Sequence, residues 1–149
     1  LGGSGLRTGI VAGRFNDVVS NSLVAGAGAR LASLGVADDD IHLAWVAGAF
    51  EVPLAARAMA VSGRYDAVVC LGAVIRGETP HFDFVAGEAA AGIMRAGHDT
   101  GVPVVFGVLT TDTVEQAMER ADVDRGDKGA DCADAAVEMV RLLGAIDPG

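Results

Sequence analysis

Residues 76–85, RGETPHFDFV, put an arginine, a glycine, a Thr-Pro pair and a histidine between an apolar run and a helical pattern. Thr79 is placed to cap a helix whose first residue is Pro80, where the missing N–H costs little. Gly77 and the first-turn N–H groups are then left without backbone partners. With the positive end of the helix dipole, those donors suit a phosphate. His81 falls in that same first turn, and an imidazole, with an ordinary pKa of about 6.5, can pass protons near neutrality. The plainer reading of these residues alone is a capped helix start with a structural histidine.

Other segments hold partners for such a site. Arg14 and Phe15 follow one apolar run, and Phe50 and Glu51 follow another. Two aromatics on adjacent loops can clamp a flat heterocycle, while Glu51 can accept hydrogen bonds from ring or hydroxyl donors. Packing at a rim is the alternative for each aromatic. Phe106 lies in the middle of an apolar run and belongs by default to the core. Arg120 falls in the last turn of a helical pattern, where a cation complements the dipole whatever else it does. Lys128 is equally plain by itself.

The elements that must position these residues alternate between strand and helix patterns. Strands are expected at 6–13, 41–46, 66–75 and 102–109, the third an almost unbroken apolar run of the kind buried on both faces. Helices are expected from residue 16 or 17 to Leu34, with Gly35 closing it, and at 51–63, 81–99, 112–121 and 129–145. Asp112 and Glu115 have the spacing of a capping-box variant for the fourth of these. Right-handed crossovers then give an α/β chain with a parallel four-stranded sheet covered on both faces. Ligands of such sheets gather beyond the carboxyl ends of the strands, which singles out the loops GRFN, VAGAFEVP, VIRGETPH and LTTDT.

Composition narrows the classes. The chain has 149 residues, enough for one domain with its own core. Its net charge of −9 argues against nonspecific nucleic-acid binding, which needs a basic footprint. A hydrophobic share of 51% with only 5% aromatics points to Ala, Val, Gly and Leu packed in an α/β core, or to surface hidden against further copies. Cys70 and Cys132, lacking CxxC spacing, read as small buried hydrophobes of a reducing compartment, with no metal role. No apolar run has transmembrane length and none has the architecture of a signal peptide, so a cytoplasmic location is expected. Residues 1–5, LGGSG, read as a linker or disordered start, leaving 6–149 as a single domain.

Five segments in this order carry a resemblance: GRFN, GAFEVPLAA, YDAVVCLGAVIRGETPHFDFVAGEAAAGI, GVPVVFGVLTTDTVEQAMERA and DKGADCADAAVEM. The chain resembles the lumazine synthase family over nearly all of residues 8–141. The resemblance implies a flavodoxin-like three-layer α/β/α sandwich. It also implies a transferase that condenses 5-amino-6-(D-ribitylamino)uracil with 3,4-dihydroxy-2-butanone 4-phosphate. The product is 6,7-dimethyl-8-ribityllumazine, the riboflavin precursor, and no cofactor is used. Active sites are expected between adjacent subunits of a homopentamer. Some relatives build a larger icosahedral shell, and the family leaves room for association with riboflavin synthase.

By position, Phe15 matches the family's aromatic over the pyrimidine. Ala49, Phe50 and Glu51 match the loop that holds the ribityl chain, and Ala73, Val74 and Ile75 match the strand end along the pyrimidine. Glu78 and Thr79 match the phosphate-binding residues, and His81 matches the proton-transferring histidine. Phe106 and Arg120 match residues lent by the neighbouring subunit, with Arg120 as counter-ion to the phosphate. Lys128 matches a basic residue near the same site. Two departures stand out. Ala47 replaces the proline usual before GAFE. Asp122, Asp124 and Asp127 make the compact 122–129 segment acidic, which weighs against shell contacts. No P-loop or GxGxxG follows a strand, so a nucleotide-binding module is poorly supported.

Overall fold

Four parallel strands, β1 (Thr8–Gly13), β2 (Ile41–Val46), β3 (Ala67–Ile75) and β4 (Val104–Thr111), form one sheet in the order β2-β1-β3-β4. The computed structural model describes residues 2–149. Five α-helices complete the chain: α1 (Asp17–Ser33), α2 (Val52–Val61), α3 (His81–Thr100), α4 (Val114–Ala121) and α5 (Lys128–Ile146). The strand period of two sorts side chains between the layers. On β1, Ile10 and Ala12 face α1, α4 and α5, while Val11 faces α2 and α3. Likewise β3 sends Val69, Leu71 and Ala73 to the first face and Val68, Cys70 and Val74 to the other. Both faces are covered, as a three-layer α/β/α flavodoxin-like sandwich requires. Each fully buried Val, Leu or Ile contributes roughly 1.5–3 kcal/mol, and β3 is buried along all but its last residue.

The order of strands reverses beside β1. From β1 the chain crosses to β2 on one side and then passes to β3 on the other. The loops leaving β1 and β3 therefore diverge at their carboxyl ends and open a crevice.

Four sequence expectations need correction. The strand expected at 102–109 runs from Val104 to Thr111, because Pro103 has no N–H for the ladder and Thr110 and Thr111 stay in register with Val74 and Ile75. The cap of α4 is Thr113 rather than Asp112: Thr113 Oγ1 accepts from the Gln116 N–H at 3.1 Å, and Gln116 Oε1 accepts from the Thr113 N–H at 3.3 Å. Helix α3 begins at His81, so Pro80 occupies the cap position and Thr79 offers a long 3.4 Å contact to the His81 N–H. The opening residues are not a loose linker. Gly3 donates to the Leu34 carbonyl at 2.8 Å, and the Arg141 side chain donates to the carbonyls of Gly2 and Ser4 at 2.7 and 3.0 Å. Leu1 lies outside the described residues.

The acidic 122–127 turn is partly occupied by its own chain. Asp122 accepts from the Asp124 N–H and pairs with Arg125, which together hold its carboxyl below the ordinary carboxylate value. Asp127 turns inward at a φ of 46° and packs against Gly26 of α1. Asp122 is thus paired within the chain, whereas the buried Asp127 Oδ1 has no hydrogen-bond partner.

Candidate active site

A cavity of about 550 Å³ opens at the carboxyl ends of β1, β2 and β3. After β1 the chain turns through Phe15 and Asn16, with the N–H groups of Arg14 and Phe15 donating to the carbonyls of Val46 and Ala47 at 2.8 and 3.0 Å. Those bonds stitch the β1 and β2 exits together. They leave the turn intact although Ala47 stands where relatives have proline. After β2 a single 3-10 turn, Ala49–Glu51, leads into α2, with Pro53 in the first turn where no N–H is needed. The end of β3 supplies Ala73, Val74 and Ile75 as the third wall.

Helix α3 closes the cavity with His81, Phe82, Phe84 and Val85, which line it together. His81, Phe84 and Val85 follow the i, i+3, i+4 spacing of one helical face. Glu51 and His81 are the ionisable side chains among the lining residues. Three aromatic rings stand largely in the open around the mouth: Phe15 at 73%, Phe50 at 57% and Phe84 at 68% exposure. So much uncovered aromatic surface at one mouth marks a place for a flat apolar ligand or another protein surface. Among the described residues, no group of three or more His, Cys, Asp and Glu could hold a metal ion. Nor is any described helix long and apolar enough to cross a membrane.

Eight of the thirteen residues singled out from the sequence line this cavity: Phe15, Ala49, Phe50, Glu51, Ala73, Val74, Ile75 and His81. Glu78 and Thr79 lie beside it, exposed on the loop into α3. Among the described residues, the N–H groups of Gly77, Glu78 and Thr79 make no hydrogen bond. Phe106, Arg120 and Lys128 are not part of the lining. Phe106 is 43% exposed on the edge strand β4, which overturns its default assignment to the core. The Arg120 guanidinium donates to the Gln116 carbonyl of its own helix at 2.9 Å, and Lys128 opens α5 in solvent.

A family model described as 6,7-dimethyl-8-ribityllumazine synthase matches residues 5–144. The chain belongs to the 6,7-dimethyl-8-ribityllumazine synthase family. Membership places it among the lumazine synthase transferases of riboflavin biosynthesis. The cavity of this lumazine synthase family member also contains residues that the sequence did not single out as ligands: Asn16, Phe82, Phe84 and Val85. Asn16 was legible only as a helix start; its side-chain amide donates to the Ala73 carbonyl at 3.3 Å. The HFDFV spacing was the available signal for the other three.

Proposed function

We propose that the chain condenses 5-amino-6-(D-ribitylamino)uracil with 3,4-dihydroxy-2-butanone 4-phosphate, giving 6,7-dimethyl-8-ribityllumazine, phosphate and water. One observation carries this assignment: in a member of this family, Phe15, the Ala49–Glu51 turn, the β3 end and His81 border one cavity. Phe15 would stack on the pyrimidine, Ala49, Phe50 and Glu51 would hold the ribityl chain, and Ala73 to Ile75 would follow the ring edge. The unpartnered N–H groups near Glu78 and Thr79, at the positive end of α3, favour a phosphate. Imine formation, phosphate elimination and ring closure all move protons, and of the two ionisable lining residues we assign His81 to carry them. Holding two substrates in line can itself supply about 7–11 kcal/mol in favourable cases. No metal or organic cofactor enters this scheme.

Phe106, Arg120 and Lys128 stand apart from their own chain's cavity. Following the family resemblance, we assign Phe106 and Arg120 to a neighbour's site in a homopentamer, with Arg120 as the phosphate's counter-ion and Lys128 near the same site. The test mixes purified protein with the two substrates and follows lumazine absorbance. Formation faster than the uncatalysed background supports the assignment, and formation at the background rate ends it.

A further inference from the structure

Arg76 joins three elements without lining the cavity. Its N–H donates to the Thr111 carbonyl at 2.9 Å, fixing the backbone where β3 and β4 end. Its side chain then reaches Asp112 Oδ1 through Nε at 3.0 Å and Asp83 Oδ1 through a terminal nitrogen at 3.7 Å. The same guanidinium lies over the Phe82 ring, 4.3 Å from its centroid. Asp112 is anchored in turn, since its N–H donates to Gln116 Oε1 at 2.9 Å. The contacts thus run from the first turn of α4, through Asp112 and Arg76, to the first turn of α3.

A single exposed ion pair contributes little. Here one planar group makes two ion pairs and a stack at once, and the planar fork sacrifices less freedom per contact than a lysine would. Among the described residues, the intervening loop 77–80 has a single side-chain hydrogen bond, the long one from the His81 N–H to Thr79. Phe82, Val85 and Ala86 pack the start of α3 on the core, and Arg76 supplies its polar tie to the β4–α4 turn. Phe82 is the point of transfer, packed under the guanidinium on one side and facing the cavity beside His81 on the other.

We infer that Arg76 is a positioning residue: by clamping Phe82 and Asp83 to Asp112, it sets the direction in which α3 presents His81 to the cavity. Its kinetic consequence rests on the proposed function. The test compares Arg76→Met, Arg76→Lys, Asp112→Asn and the Met/Asn double variant in the full chain. Steady-state kinetics are measured alongside a fluorine NMR signal from labelled Phe82, assigned by its loss in Phe82→Leu. Arg76→Met should lower kcat about tenfold while both KM values stay within about twofold, the pattern of a misdirected reacting group. Arg76→Lys, which keeps the charge without the planar fork, should recover part of that loss. The double variant should be no slower than Arg76→Met, since both changes open one clamp. An unchanged kcat, no recovery with lysine, or effects that multiply independently would each overturn the inference. If the wild-type chain gives no turnover, the proposed function fails, and the NMR arm still decides the clamp. A Phe82 signal that shifts in Arg76→Met supports it, and one that stays put overturns it.

Discussion

Asn16 donates its side-chain amide to the carbonyl of Ala73 at 3.3 Å, tying the exit of β1 to the end of β3 where both border the cavity. The backbone of Asn16 is left-handed, with φ 64° and ψ 50°. Asparagine and glycine tolerate that conformation, and other residues are strained there by about 1–2 kcal/mol. Asn16→Ala therefore loses the cross-strand bond and gains strain, and should lower unfolding free energy by about 2 kcal/mol. Asn16→Gly loses the bond alone and should retain about half of that difference. Urea unfolding of the two variants decides. Equal midpoints would mean that the turn does not select its residue by conformation.

Helices α1 and α5 cross at a point with no room for a side chain. A methyl group on Gly129 would overlap the Leu23 carbonyl oxygen and lie 2.9 Å from the Ala27 nitrogen, both of them backbone atoms of α1. Nothing there can rotate aside, so the helices would have to separate. Gly129→Ala should cost about 2–3 kcal/mol. Gly28→Ala, on α1 with open space around the new methyl, should instead gain up to about 1 kcal/mol through helix propensity. Thermal unfolding of both variants checks the contrast. A harmless Gly129→Ala would show that the crossing is looser than its backbone distances indicate.

Why part of the site was legible and part was not follows from where each signal sits. The β3 run AVVCLGAVI declared itself because burial on both faces demands uninterrupted apolar residues, and the loops after the strands followed from the parallel topology. Phe15, Phe50, Glu51 and His81 were therefore placed at the edge where the cavity opens. The α4 cap was misplaced because DTVE and TVEQ are offset by one residue and both satisfy the capping pattern. The choice is tertiary: Arg76 takes the Asp112 carboxylate, and Thr113 is left to cap. Phe106 misled for a related reason. A mid-strand aromatic looks buried until the strand proves to be an edge. Phe82 and Phe84 fell inside the helix expected at 81–99, and only the crevice beneath α3 turns them into lining.

The two cysteines lie on opposite faces of the sheet, Cys70 toward α2 and α3 and Cys132 toward α1 and α4. Burial raises both thiols from an ordinary value of 9.0, Cys70 to about 12 and Cys132 to about 11. Folding keeps each thiol neutral, so its contribution is fully present below pH 9.0. Above that pH the unfolded chain releases its protons first. Stability should then fall by roughly 1.4 kcal/mol per pH unit for each thiol, until the folded values of about 11 and about 12 are reached. Denaturant unfolding at pH 8, 9 and 10 should show a flat portion followed by this decline, with a smaller slope in Cys132→Ala. An equal slope in that variant would assign the alkaline loss to other groups. At pH 8 an aromatic disulfide reagent should leave the folded chain untouched and label both thiols once urea is added.

His81 and Arg120 are assigned different tasks, and kinetics can separate them. His81 faces the cavity from the first turn of α3, and we assign it proton transfer; Arg120 lies on α4 away from its own chain's cavity, and we assign it the phosphate of a neighbour's substrate. Removing a proton carrier slows chemistry with little effect on binding, so His81→Ala should lower kcat by about 100-fold or more with KM nearly constant. Removing the counter-ion weakens a charge-assisted contact, so Arg120→Ala should raise the KM for the butanone phosphate by about tenfold. The KM for the uracil should stay near its original value, because the turn we assign to the ribityl chain is untouched. The two-chain assignment adds a sharper test. Each single variant is impaired in all of its sites, but a mixed assembly of His81→Ala and Arg120→Ala protomers contains some sites with both residues intact. Mixing denatured variants and refolding them together should restore activity above the sum of the separate preparations. No gain, in mixed particles shown to contain both chains, would place the two residues in a site of a single chain or remove one of them from the reaction.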